Sequence, residues 1–144
     1  AIHAETRRCL DAQGTPVSGV ADEGGWGPRL ASNEEALRLL TQAIEAAGLR
    51  PAEDVSIAID VASSHFYSNG VYELASEGRR LRPAEFIELL AGWVRRYPIV
   101  SLEDGLEQDD WENWPSLTAA LGDSCQIIGD DFLTPNPLRL EQAI

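Results

Sequence analysis

Apolar residues recur along the chain in two rhythms, and the switches between them mark the elements. Behind Ser32-Asn33-Glu34-Glu35, the positions Leu37, Leu40, Ile44 and Ala47 recur at helical spacing, the signature of an amphipathic helix. Ser32 with Glu35 three residues on reads as a capping box. Gly48 ends that helix and Pro51 blocks its continuation. The same period runs through Phe86, Leu89, Leu90, Trp93 and Tyr97, opened by Pro83 at a first helical position and stopped at Pro98. Between the helices lie short apolar runs at 55–60 (VSIAID), 99–102 (IVSL) and 125–129 (CQIIG). Such runs suit strands buried on both faces.

Weaker signals fill the gaps. Residues 3–13 are helical in character and Gly14 stops them. Residues 16–21 form a short strand candidate running into Asp22-Glu23-Gly24-Gly25, and Ser68-Asn69-Gly70 marks the turn of a hairpin. Residues 109–121 are mostly helical with Pro115 breaking them in two, and Asn136-Pro137 opens a last helix. The result is four strand-then-helix units with no linker and no repeat, which predicts an α/β fold around a parallel sheet. A doubly wound sheet and a (βα) barrel both satisfy that pattern. A complete eightfold barrel takes roughly 250 residues, so a chain of 144 residues is about half of one.

In parallel α/β folds the carboxyl ends of the strands form the reactive face. All four predicted strand ends carry an acid: Glu23, Asp60, Glu103 and Asp130. One such acid is unremarkable, but four of four would converge, because neighbouring strands lie ~5 Å apart. Converging carboxylates resist ionisation, and a hard divalent cation such as Mg²⁺ or Mn²⁺ resolves that conflict with oxygen ligands alone. Asp60, Glu103 and Asp130 end the most apolar strands and form the predicted metal triad. Asp104 and Asp131, next in line, suit a supporting or capping role. Glu23 sits instead in Asp22-Glu23-Gly24-Gly25, whose glycines permit a tight turn and close approach of a ligand, and a carboxyl there can act as a general acid or base.

Composition narrows the partners. The apolar fraction of 44% is that of a globular protein, and no run approaches the ~18–20 apolar residues of a membrane span. A net charge of −13 disfavours nucleic acid and anionic membranes. Cys9 and Cys125 are far apart with no CxxC spacing, which predicts free thiols in a reducing cytoplasm. His3 and His65 stand alone, which argues against zinc. The chain has no methionine, as expected of a processed or excised piece, and all 11 basic residues are arginine. Without lysine it offers neither a lysine base nor a Schiff base.

Six ordered motifs carry a family resemblance. Asp22-Glu23-Gly24-Gly25-Trp26-Gly27-Pro28, Asn33-Glu34-Glu35-Ala36-Leu37, Ile57-Ala58-Ile59-Asp60-Val61-Ala62-Ser63-Ser64, Tyr97-Pro98-Ile99-Val100-Ser101-Leu102-Glu103-Asp104, Asp109-Asp110-Trp111 and Gly129-Asp130-Asp131 with Asn136-Pro137 follow one another at the intervals seen in enolases. The chain resembles enolase over essentially its whole length. The resemblance implies that residues 1–144 are part of a TIM-like barrel domain, lacking the amino-terminal domain and the last barrel strands. It implies a Mg²⁺-dependent lyase that dehydrates 2-phosphoglycerate to phosphoenolpyruvate in glycolysis, a small phosphorylated carboxylate being the only partner besides further copies of the chain in a homo-oligomer. Asp60, Glu103 and Asp130 would be the metal ligands, and Glu23 the acid that assists the departing hydroxyl. The family's lysine base lies downstream, so the isolated chain is expected to be inactive. Ala21, Trp26, His65 and Pro135 depart from the family pattern. They leave open a paralogue acting on a phosphonate or carboxyphosphonate analogue, while the missing lysine leaves open a non-catalytic, self-associating fragment.

Overall fold

A computed structural model describes the whole chain, Ala1–Ile144. It divides into two compact units, Ala1–Ser56 and Ile57–Ile144.

In the first unit, helix α1 (Ile2–Ala12) packs on helix α2 (Asn33–Ala46). The predicted cap forms: the Ser32 hydroxyl accepts the Glu35 N–H at 3.3 Å, while Glu35 Oε2 accepts the Ala31 N–H at 3.0 Å. The buried face of α2 is Leu37, Leu39, Ala43 and Ile44, set against Leu10 of α1. That face is rotated from the predicted one, since Leu40 is only half-buried. Each fully buried leucine contributes about 1.5–3 kcal/mol.

Strands β1 (Val17–Val20) and β2 (Trp26–Pro28) pair antiparallel, with Val20 opposite Trp26. The segment expected to open a parallel sheet is therefore one arm of a hairpin. Local hydrogen bonding explains the difference. Gly24 N–H reaches Ala21 O and Ala21 N–H reaches Gly25 O, both at 2.8 Å. Gly24, at φ +89°, takes the left-handed conformation that closes such a three-residue loop.

The second unit holds the parallel sheet, in the order β3 (Ile57–Asp60), β7 (Ile99–Glu103), β8 (Gln126–Ile128). Between β3 and β7 the chain forms an antiparallel three-stranded sheet, β4 (Tyr67–Ser68), β5 (Val71–Leu74) and β6 (Arg79–Leu81), and then helix α3 (Pro83–Arg96). The hairpin expected at Asn69-Gly70 is thus the first turn of a larger meander. Tyr72 of β5 stacks on Phe86 of α3 with ring centroids 4.4 Å apart, and Phe66 meets both rings edge-on.

Helix α4 (Trp114–Leu121) precedes β8, and α5 (Pro137–Ala143) follows it. Pro115 does not split a longer helix. It sits in the first turn of α4, where its missing N–H costs nothing. Apolar strands alternate with helices around a parallel sheet in this unit, the expected mixed α/β architecture, and no helix of the chain is long and apolar enough to cross a membrane.

Candidate active site

Register brings the first two acids together. In the parallel pairing of β3 with β7, Asp60 stands directly opposite Glu103, the last residue of each strand. Glu103 in turn stands opposite Ile128, so Asp130 lies two residues past the end of β8 on the same edge of the sheet. Carboxylate oxygens of Asp60, Glu103 and Asp104 all lie within 4.8 Å of one another. Asp130 stands beside this group, close enough for its charge to act on Glu103. Its Oδ1 accepts the Thr134 hydroxyl, and its carbonyl accepts the same hydroxyl at 2.9 Å.

The electrostatics follow from the crowding. Desolvation pushes the Glu103 carboxyl above the usual glutamate range, and repulsion from Asp60, Asp104, Asp130 and Asp131 adds to it. Every charge acting on Glu103 is negative. Asp104 is also raised, mainly by burial, although backbone N–H bonds from Asp131 and Asp130 oppose the shift. Oxygen donors held this close without a neutralising side chain fit a hard divalent cation, which removes the repulsion by occupying its centre. Asp60, Glu103 and Asp104 thus form a group that could hold a metal ion.

Glu23 belongs to the first unit, at the tip of the β1–β2 turn, where it is exposed. Three contacts brace that turn against α1. His3 Nε2 bonds Gly24 O at 2.7 Å, Trp26 Nε1 donates to His3 O at 2.9 Å, and the two rings stack with centroids 4.5 Å apart. The guanidinium of Arg7 covers the Trp26 ring at 5.4 Å.

The loop beyond β7 is braced as firmly. Tyr72 Oη accepts the Glu107 N–H at 3.0 Å, Ser64 Oγ accepts the Gln108 N–H at 2.9 Å, and Trp114 Nε1 donates to Glu107 O at 3.0 Å. Two apolar clefts, of about 590 and 520 Å³, are lined without a single carboxylate. The gathered carboxylates lie at the strand ends and not in either cleft.

An acid at or just past the end of each strand of the parallel sheet, with oxygen donors gathered at one edge, is a layout that fits a metal-binding site. The family model for the enolase C-terminal TIM barrel domain matches residues 2–144. The chain belongs to that family, which places it in a superfamily of lyase-type enzymes.

Sequence reasoning singled out Asp60, Glu103 and Asp130 as ligands. The structure gathers Asp60 and Glu103 with Asp104, and sets Asp130 next to them. What sequence reasoning missed is how much Asp104 holds. Position next to Glu103 was the only signal, and hydrogen bonds to residues 26 and 41 positions away have no local signature.

Proposed function

We propose that this chain is the metal-binding part of a lyase that dehydrates 2-phosphoglycerate to phosphoenolpyruvate. The observation that carries the reading is the in-register placement of Asp60 and Glu103 at adjacent strand ends, with Asp130 on the same edge. The family match runs through both compact units, which supports treating residues 1–144 as one partial barrel domain. In this reading Asp60, Glu103 and Asp130 hold Mg²⁺, and Asp104 completes the acidic group. A bound divalent cation supplies positive charge against which the substrate carboxylate can accept a second negative charge when its α-proton leaves.

The chain's own residues do the rest. Asp60, Glu103 and Asp130 would fix where the cation sits and, through it, where the substrate carboxylate is held. Glu23, on its braced turn, is the acid assigned to the departing 3-hydroxyl, which leaves as water once it is protonated. In the family resembled, a lysine takes the α-proton, and this chain has no lysine, so in this reading the base comes from outside these 144 residues. The substrate is small, phosphorylated and carboxylated, the setting is cytoplasmic, and the working protein is a homo-oligomer.

The test is turnover by the full-length protein. It should convert 2-phosphoglycerate in a Mg²⁺-dependent reaction followed by the absorbance of the enol product. Glu23→Gln should lower kcat by at least about 10²-fold, the ordinary scale of a lost general acid. Conversion of a phosphonate or carboxyphosphonate analogue with no turnover of 2-phosphoglycerate would replace this substrate by the analogue. Full activity in Glu23→Gln would remove Glu23 from the reaction.

A further inference from the structure

Asp104 lies in the same compact group as Asp60 and Glu103, yet its surroundings differ from theirs. It is only 4% exposed, and both carboxylate oxygens are already engaged. Oδ1 accepts the Asp130 N–H at 2.9 Å and Oδ2 accepts the Asp131 N–H at 3.1 Å. Its own N–H donates to Ile128 O at 3.0 Å. Its carbonyl accepts both the Ser63 hydroxyl, at 2.6 Å, and the Ser63 N–H, at 3.3 Å. Ser63 is completely buried. The backbone at Asp104 is left-handed, with φ +44°, a conformation that a non-glycine residue holds only when its surroundings impose it.

These bonds reach the ends of all three parallel strands. Asp104 directly follows Glu103 on β7. Its side chain holds the backbone amide of Asp130, past β8. Its carbonyl holds Ser63, three residues past Asp60 of β3. Each carboxylate oxygen keeps a second lone pair, but at 4% exposure the two N–H bonds fix the direction in which the carboxylate faces. Shifting it to bind a cation would weaken its bonds to both amides and loosen the segment that carries Asp130.

We propose that Asp104 is a positioning residue and not a ligand: it ties the three strand ends together and thereby sets the spacing of Asp60, Glu103 and Asp130 for a divalent cation. This rests on the metal-centre reading given above. Groups that orient a ligand from behind change metal affinity by about 10–100-fold when removed.

Two substitutions separate positioning from ligation. Asp104→Asn keeps the size but sets an NH₂ against one of the two amide donors. Ser63→Ala removes a hydroxyl bonded to the Asp104 carbonyl and leaves every carboxylate in place. Mn²⁺ affinity of the 144-residue chain, read from the electron paramagnetic resonance of free Mn²⁺, should fall at least tenfold in Asp104→Asn and severalfold in Ser63→Ala. Leu90→Val, a buried truncation on α3, should lower the urea midpoint without changing Mn²⁺ affinity, which separates positioning from general loss of stability. Loss in Asp104→Asn with unchanged affinity in Ser63→Ala would make Asp104 a ligand and overturn the proposal.

Amide hydrogen exchange decides the structural half without any metal. The Asp130 and Asp131 amides should be protected in the parent chain and exchange at least tenfold faster in Asp104→Asn. Equal exchange in both chains would overturn the proposal. Failure of the parent chain to bind Mn²⁺, with these amides still protected through Asp104, would overturn the metal reading and leave the tie between strand ends standing.

Discussion

Gly105 directly follows Asp104, and its missing side chain is a packing requirement with a calculable cost. A Cβ built there would lie 2.4 Å from Leu102 Cδ2 and 2.9 Å from Leu117 Cδ2. Carbon atoms in contact prefer about 3.5–4.0 Å, so both approaches are steep overlaps. Neither leucine has anywhere to go, because both are completely buried. The backbone at Gly105 is not left-handed, so alanine adds no conformational strain. It would even restrict the unfolded chain, a gain of about 0.4–1 kcal/mol. Overpacking costs about 1–3 kcal/mol, and two simultaneous overlaps place Gly105→Ala near the top of that range. The net loss should be about 2 kcal/mol. With a urea m-value of about 2 kcal/mol/M, that lowers the midpoint by about 1 M. The assay is urea unfolding followed by tryptophan fluorescence, with Gly19→Ala as the control. Gly19 has open space around its ideal Cβ and no positive φ, so its variant should stay within about 0.5 kcal/mol of the parent. A Gly105→Ala chain as stable as the parent would refute the rigid enclosure of Gly105 by Leu102 and Leu117.

Predictions at two further residues concern charge and hydrogen bonding. Tyr72→Phe keeps the ring against Phe86 but strands the Glu107 amide that the hydroxyl oxygen accepts, a loss of about 1–2 kcal/mol in urea unfolding. Burial pushes the Tyr72 phenol above its ordinary range, so the stability it contributes is present at neutral pH and is lost as alkali ionises it. The phenol should titrate only with unfolding, as a spectrophotometric titration will read. Glu103 is raised in the folded chain, first by desolvation and then by its acidic neighbours. Its favourable contribution is therefore present below the ordinary glutamate pKa and lost as pH rises through the raised folded value. Glu103→Gln should make the metal-free chain more stable at pH 7 while destroying Mn²⁺ affinity. In the parent, Mn²⁺ affinity should begin to fall on acidification at a higher pH than an isolated glutamate would dictate. A Glu103→Gln chain less stable than the parent would contradict the repulsion argument.

Much of the architecture could be read locally. The Ser32 cap, the Pro83 start of α3 and the apolar runs of β3, β7 and β8 are set by residues a few positions apart, so they appear in any window that contains them. The hairpin around Glu23 did not appear as one. Val17 to Val20 has the composition of a strand in either direction, and only the pairing of Val20 with Trp26 decides that it is antiparallel. Pro115 was misjudged for a related reason. A proline breaks a helix interior but is tolerated in a first turn, and where the turn begins depends on Asp110 and Asn113 closing the loop before it.

By itself, the sequence determined which residues carry charge at the ends of apolar segments, that oxygen is the only donor type they offer, and that no lysine is available to act as a base. Tertiary structure alone decided which of those acids meet. Parallel register sets Asp60 against Glu103, because strand neighbours are chosen by hydrogen bonds between segments about forty residues apart. Burial then divides two adjacent acids by role. Glu103 keeps its oxygens at the open strand ends, while the oxygens of Asp104 turn inward to the amides of Asp130 and Asp131. That division depends on long-range hydrogen bonds closing around one residue, which the order of amino acids implies but does not display.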